Sequence, residues 1–168
     1  VEIHTVGAGG GTIAHVDDAG LLHVGPAGAG ARPGPACYGH GGDEATITDA
    51  QVVLGRIRPG PIAGGSVHLD AGKARDVIER RIARPLGIGV EAAADGMIRL
   101  MDQKLLHAVQ RLSSARGHDP RIFTLVAAGG AGPLHGTAVG RALGVKRVYM
   151  PRLVGAFCAL GMLNSNVR

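Results

Sequence analysis

The chain has 168 residues, 29 of them Gly and 9 Pro, with two Phe, two Tyr, no Trp and a hydrophobic content of 45 % carried by aliphatic side chains. So much aliphatic surface excludes a disordered chain, and glycines that cluster instead of recurring every third residue exclude collagen. The net charge of +5 arises from 15 Arg and three Lys against 13 acidic residues, but the densest run, Arg75 to Arg84, is interrupted by Asp76 and Glu79 and reads as a solvated helix face instead of a nucleic-acid surface.

Taken in chain order, Ile3 to Val6 and Thr12 to Val16 read as short strands around a glycine run. Asp17-Asp-Ala-Gly20 is a turn signal, and Leu21 to Val24 returns as the second strand of a hairpin. Gly25 to Gly42 is rich in Gly and Pro, yet it holds Cys37 and Tyr38 and is expected to be an ordered loop. Thr48 is the predicted N-cap of a short helix ending near Leu54, with Asp49 favoured in its first turn. Pro59-Gly-Pro61 and Gly64-Gly65 are turns. Asp70 caps the next helix, whose buried face is Ala74, Val77, Ile78 and Ile82, and Pro85 and Gly87 end it.

The longest helix is predicted from Glu91 to Arg116. Ala93, Met97, Leu100, Met101, Leu105, Ala108, Val109 and Leu112 form its apolar side, with Gly117 as its stop. Arg121 to Ala127 reads as a buried strand, followed by the turn Gly129-Gly-Ala-Gly-Pro133, a helix from Leu134 to Leu143 and a strand from Arg147 to Met150. This order is a βαβ unit with a parallel strand pair. The fold class is therefore α/β.

Three groups of residues could carry chemistry. The turn Gly129 to Pro133 opens a helix at the carboxyl end of a strand, where backbone can approach a ligand. The alternative is that its glycines only allow close helix–strand packing. It has neither P-loop nor Rossmann spacing, since the only Gly-Lys pair is Gly72-Lys73, followed by Ala. Gly9, Gly10 and Gly11 form a tight turn whose N–H groups could receive an anion, or a hairpin with no ligand. The eight histidines include His40 three residues after Cys37, and His135 one turn into the helix after Gly132. None has the spacing of a four-ligand zinc site, and a Cys37 and His135 nucleophile–base pair has no flanking pattern behind it. Cys37 and Cys158 read as separate free thiols of a cytoplasmic protein. No uncharged apolar run reaches the ~18–20 residues of a membrane span.

Six strings occur in order: His4-Thr-Val-Gly-Ala-Gly-Gly-Gly-Thr-Ile-Ala14, Pro33-Gly-Pro-Ala-Cys-Tyr-Gly39, Thr48-Asp-Ala50 with Leu54-Gly55, Gly117-His-Asp-Pro-Arg121, Phe123-Thr-Leu-Val-Ala-Ala-Gly-Gly-Ala-Gly-Pro-Leu-His135 and Phe157-Cys-Ala-Leu-Gly161. Together they resemble the hydantoinase A/oxoprolinase family along almost the whole chain. The resemblance implies part of an actin-like ATPase fold, of the sugar-kinase and Hsp70 type, with a mixed sheet and packed helices. It also implies ATP and Mg²⁺ as cofactors, a hydantoinase B-type subunit or domain as partner, and a cyclic amide such as hydantoin or 5-oxoproline as substrate. A ketone carboxylase subunit and a non-catalytic assembly module are the alternatives. Gly129, Gly130 and Gly132 are carried over as nucleotide-binding residues, with Gly9, Gly10 and Gly11 as a second group.

Four departures from the family pattern accompany the resemblance. Family members carry two Asp-Gly-Gly-Thr-type phosphate loops before the matched region, and neither is present here. Residues 1–168 are therefore expected to be the C-terminal part of the domain, without the phosphate-loop half and inactive alone. Gln103-Lys-Leu-Leu106 replaces an Asn-x-x-Met pattern, and Ala115 and His40 replace a Glu and an Arg.

Overall fold

The computed structural model describes residues 4–165. Two compact units divide at Met101 and Asp102, within one continuous helix.

In the first unit, strand β1 (Thr12–Val16) pairs antiparallel with β2 (Leu22–Gly28), with Ala14 opposite Val24 and Val16 opposite Leu22. The Asp17 side chain makes the turn, accepting from the N–H groups of Ala19 (3.0 Å) and Leu21 (2.8 Å). Gly20 follows at φ +77°, a left-handed conformation that favours glycine. Of the predicted preceding strand, Ile3 lies outside the described residues, and His4 to Val6 are not in a strand.

Helix α1 (Ile47–Val53) is capped by Thr46, not by Thr48. The Thr46 Oγ1 accepts from the Asp49 N–H and the Asp49 carboxylate accepts from the Thr46 N–H, a reciprocal capping box. A short hairpin not foreseen from the sequence follows, β3 (Gly60–Ile62) with β4 (Val67–Leu69). Its three-residue strands are too short to show an alternating pattern. Helix α2 (Ala71–Ile78) starts at Asp70, whose Oδ1 accepts from Lys73 N–H at 3.1 Å, as expected. A π-helical turn continues it into α3 (Arg84–Leu86), and Gly87 at φ +65° ends the run.

Ala74, Val77, Ile78 and Ile82 are all fully buried, as their spacing predicts. Cys37, Val52, Leu69 and Ala74 form a core joined by Tyr38, Ile57 and Ile62. The Gly/Pro-rich loop is ordered into this core through a 3-10 turn at Ala36–Tyr38.

Helix α4 (Val90–Ala115) ends at Gly117, φ +67°. Met97, Ile98 and Met101 are buried, whereas Leu100, assigned to the apolar side, is 39 % exposed. In the second unit, β5 (Thr124–Val126) and β6 (Arg147–Tyr149) pair in parallel through α5 (Gly132–Leu143), the βαβ unit expected. Leu106, Val139 and Leu143 are its buried core, flanked by Leu105, Val109 and Leu125.

Strand β5 is shorter and more exposed than predicted. Pro120 lacks an N–H, and the Asp119 side chain accepts from Arg121 N–H at 2.9 Å, which winds Pro120–Ile122 into a 3-10 turn. This local alternative outcompetes the strand. Because the described pair is covered by α5, the opposite face leaves Val126 and Tyr149 exposed, and Phe123, just before β5, is exposed as well. Helix α6 (Phe157–Leu163) closes the described chain. No helix of the described residues is long and apolar enough to cross a membrane.

Candidate functional site

The turn from Ala127 to Pro133 is fixed at its start by backbone. Ala127 N–H donates to Tyr149 O (2.9 Å) and Gly129 N–H to Val154 O (2.8 Å). Gly129 has φ +85°, so its own backbone demands glycine. Gly130 differs: its φ is ordinary, and a Cβ built on it would meet no atom within 4 Å. Neither strain nor packing within this chain requires glycine there. A Cβ on Gly132 would find only an ordinary contact, 3.8 Å from the Ala127 carbonyl carbon.

Close helix–strand packing belongs to two glycines one and two turns further on. A Cβ at Gly136 would stand 2.6 Å from the Ala127 Cβ, and one at Gly140 would stand 2.3 Å from Val148 Cγ2. The packing alternative therefore describes Gly136 and Gly140 and leaves Gly130 unexplained. Their four-residue spacing was the sequence signal that could have marked them.

Below the turn lies a largely apolar cavity of about 190 Å³, lined by Leu105, Val126, Ala128, Gly132, His135 and Val139 among others. His135 is 4 % exposed, and its Nδ1 lies 2.6 Å from Asp102 Oδ1 on α4. Asp102 escaped the sequence reading. Its signal was a carboxylate interrupting the four-residue series Ile98, Asp102 and Leu106 on the apolar side of a helix.

The turn Gly9 to Gly11 belongs to the first unit and is tied into its own chain. Gly9 N–H donates to Thr12 Oγ1 (2.9 Å), Gly10 O accepts from Thr48 N–H (2.8 Å) and Gly11 O accepts from Ala29 N–H (2.8 Å). A Cβ on Gly10 would stand 2.6 Å from Thr48 Oγ1, so packing alone accounts for that glycine. Gly9 has open space at its Cβ position.

The other candidates resolve into structural roles. His23 Nε2 lies 2.6 Å from Asp17 Oδ2 and its ring stacks on His15 with centroids 5.3 Å apart. Among the described residues, no three His, Cys, Asp or Glu side chains gather where they could hold a metal. The described residues therefore offer Mg²⁺ no cluster of three such ligands.

Cys37 is fully buried, and burial pushes its thiol well above the ordinary range, with the Asp49 carboxylate adding to the rise. A thiol so rarely ionised is not a nucleophile, which removes the Cys37 and His135 pair. Cys158 is exposed. In the folded protein at pH 8, iodoacetamide is expected by peptide mass spectrometry to label Cys158, and to label Cys37 only after denaturation. Rapid native labelling of Cys37 would contradict the burial.

The hydantoinase/oxoprolinase family profile matches residues 1–168. The chain belongs to this family. It is 46 % identical over 168 residues to the caprolactamase subunit alpha of Pseudomonas jessenii, covering 100 % of this chain and 24 % of that subunit. The crystal structure of that ATP-dependent caprolactamase superposes with a TM-score of 0.90 over 99 % of this chain and 24 % of its own, at 46 % identity. The acetophenone carboxylase gamma subunit of Aromatoleum aromaticum is 46 % identical over 160 residues, 94 % of this chain and 21 % of its own length. A nucleotide-free acetone carboxylase structure gives a TM-score of 0.86 at 37 % identity, over 93 % of this chain and 22 % of that one. The chain thus spans about a quarter of the length of these relatives. It shares their fold over this segment, part of the actin-like ATPase fold that the sequence implied.

Proposed function

We propose that residues 127–133 form the adenosine-binding side of the nucleotide site in an ATP-dependent enzyme that opens a cyclic amide. The observation that carries this reading is Gly130, a glycine that neither its backbone nor its neighbours require. Gly130 is exposed, and open backbone beside the start of a helix suits a flat ligand pressed against it. The helix contributes the positive end of its dipole and no acidic residue in its first turn. Bound ATP supplies the phosphoryl group that activates the amide oxygen toward attack. The residues described here hold and orient the nucleoside, and turnover needs phosphate loops that this sequence does not contain. Residues 1–168 alone are accordingly inactive, as the C-terminal part of the domain. The Gly9 to Gly11 turn ranks second, because the chain itself uses most of its polar groups.

Two alternatives remain distinct. A ketone carboxylase subunit is supported by an identity to the acetophenone carboxylase gamma subunit equal to that of the caprolactamase, 46 % in both cases. An assembly module would bind no nucleotide. Relatives named as subunits support a partner chain of the hydantoinase B type.

The test is Gly130→Val in the intact natural protein. Its branched side chain would enter the space reserved for the nucleoside, so affinity for an ATP analogue by calorimetry should fall at least about tenfold, roughly 1.4 kcal/mol. The melting temperature should stay within a few degrees. Unchanged affinity would remove the adenosine assignment.

A further inference from the structure

Helix α5 begins without a side-chain cap. Ala131 occupies the cap position and has no side chain to cap with, although its carbonyl accepts from Leu134 N–H at 3.1 Å, and Pro133 follows in the first turn. The placement of that first turn must come from elsewhere. Gly136 against Ala127 supplies one contact. A polar contact comes from His135, the fourth residue of α5, whose ring is held by Asp102 across at α4, 2.6 Å away. A carboxylate only accepts, so Nδ1–H donates and the ring's tautomer and orientation are set together.

This is a costly way to join two helices. Both side chains are largely withdrawn from water, 5 % exposed for His135 and 18 % for Asp102. Apolar residues of similar volume would pack α4 on α5 at least as stably. What a hydrogen-bonded pair adds is direction: it permits one rotation and one height of α5, where apolar contacts tolerate sliding. The element so fixed carries Gly132 at its first position, three residues before His135. His135 and Gly132 also line the same cavity.

We propose that Asp102 and His135 are a positioning pair for the Gly129–Gly132 turn, setting the height at which its backbone meets a nucleoside. This rests on the nucleotide reading above. Asp102 touches no ligand; it acts through His135 on the start of α5.

The experiment compares Asp102→Leu, Asp102→Asn, His135→Phe and Gly130→Val in the intact natural protein. The readouts are affinity for a fluorescent N-methylanthraniloyl ADP and the melting temperature. Asp102→Leu leaves the buried His135 Nδ1–H without its acceptor, so it should melt below the parent and bind about tenfold more weakly. Asp102→Asn keeps an acceptor oxygen for Nδ1–H and should stay within about threefold of the parent. A pair serving only stability would lower the melting temperature and leave the affinity of the folded Asp102→Leu protein at the parent's value. Parent-like affinity in a folded Asp102→Leu protein overturns the proposal. Should that variant fail to fold, His135→Phe decides in its place, with the same loss expected and parent-like affinity again overturning it. Gly130→Val separates the two readings. If it binds normally, the nucleotide assignment falls; if it alone weakens binding, only the positioning pair falls.

Discussion

Replacing Asp49 with Ala is expected to lower the stability of the first unit by roughly 3–5 kcal/mol, enough to unfold a marginal domain. The carboxylate is fully buried and accepts four hydrogen bonds from two separate segments. Cys37 N–H (2.8 Å) and Ala36 N–H (3.3 Å) come from the Gly/Pro-rich loop. Thr46 N–H (3.0 Å) and Thr46 Oγ1–H (2.6 Å) come from the start of α1. Alanine leaves these donors dry and unpaired, and removes the link that orders the loop against the helix. Asp49→Asn keeps one acceptor oxygen but turns an N–H₂ toward the donors, so a smaller loss is expected. Thr46→Ala removes the cap and should cost about 1 kcal/mol. Urea titrations followed by circular dichroism would rank the three variants. An Asp49→Ala midpoint equal to the parent's would show that the loop does not depend on the carboxylate.

The second large effect concerns Gly140. In a helix, Gly→Ala normally stabilises by about 1 kcal/mol. At Gly140 the new methyl would stand 2.3 Å from Val148 Cγ2, closer than side-chain carbons approach, and a tight 3.3 Å from Val145 Cγ2. Overpacking of this kind costs typically 1–3 kcal/mol. The steric term wins, and Gly140→Ala should destabilise by about 1–2 kcal/mol with α5 displaced from β6. Gly130→Ala, with open space around its Cβ, serves as the contrast and should leave the melting temperature unchanged. A stabilised Gly140→Ala variant would mean that α5 does not sit on the sheet as described.

Elements defined by local chemistry could be read directly from the residues. The Asp17–Gly20 turn, the Asp70 cap and the glycine stops at Gly117 and Gly144 each depend on one or two side chains whose preferences are intrinsic. The α2 face and α5 also follow from spacing alone. Features fixed by distant neighbours could not be read. Thr46 and not Thr48 is the cap because Thr46 and the buried Asp49 close a reciprocal capping box. Strand β5 lost its first residues to the turn that Asp119 and Pro120 make.

The candidate site divides the same way. The glycine turn was visible as a motif, but which glycines pack and which stay open depends on the atoms around each absent Cβ. That separated Gly136 and Gly140 from Gly130. Asp102 was hidden because its partner lies 33 residues away. Family membership, by contrast, was carried by six motifs in order, and the profile match over residues 1–168 agrees with it.

A structure of the intact natural protein with a non-hydrolysable ATP analogue tests the central claim most directly. The account predicts the adenosine against the backbone of Gly129 and Gly130, with no protein side chain between them. An analogue bound elsewhere, with the space beside Gly130 filled by the protein itself, would contradict it.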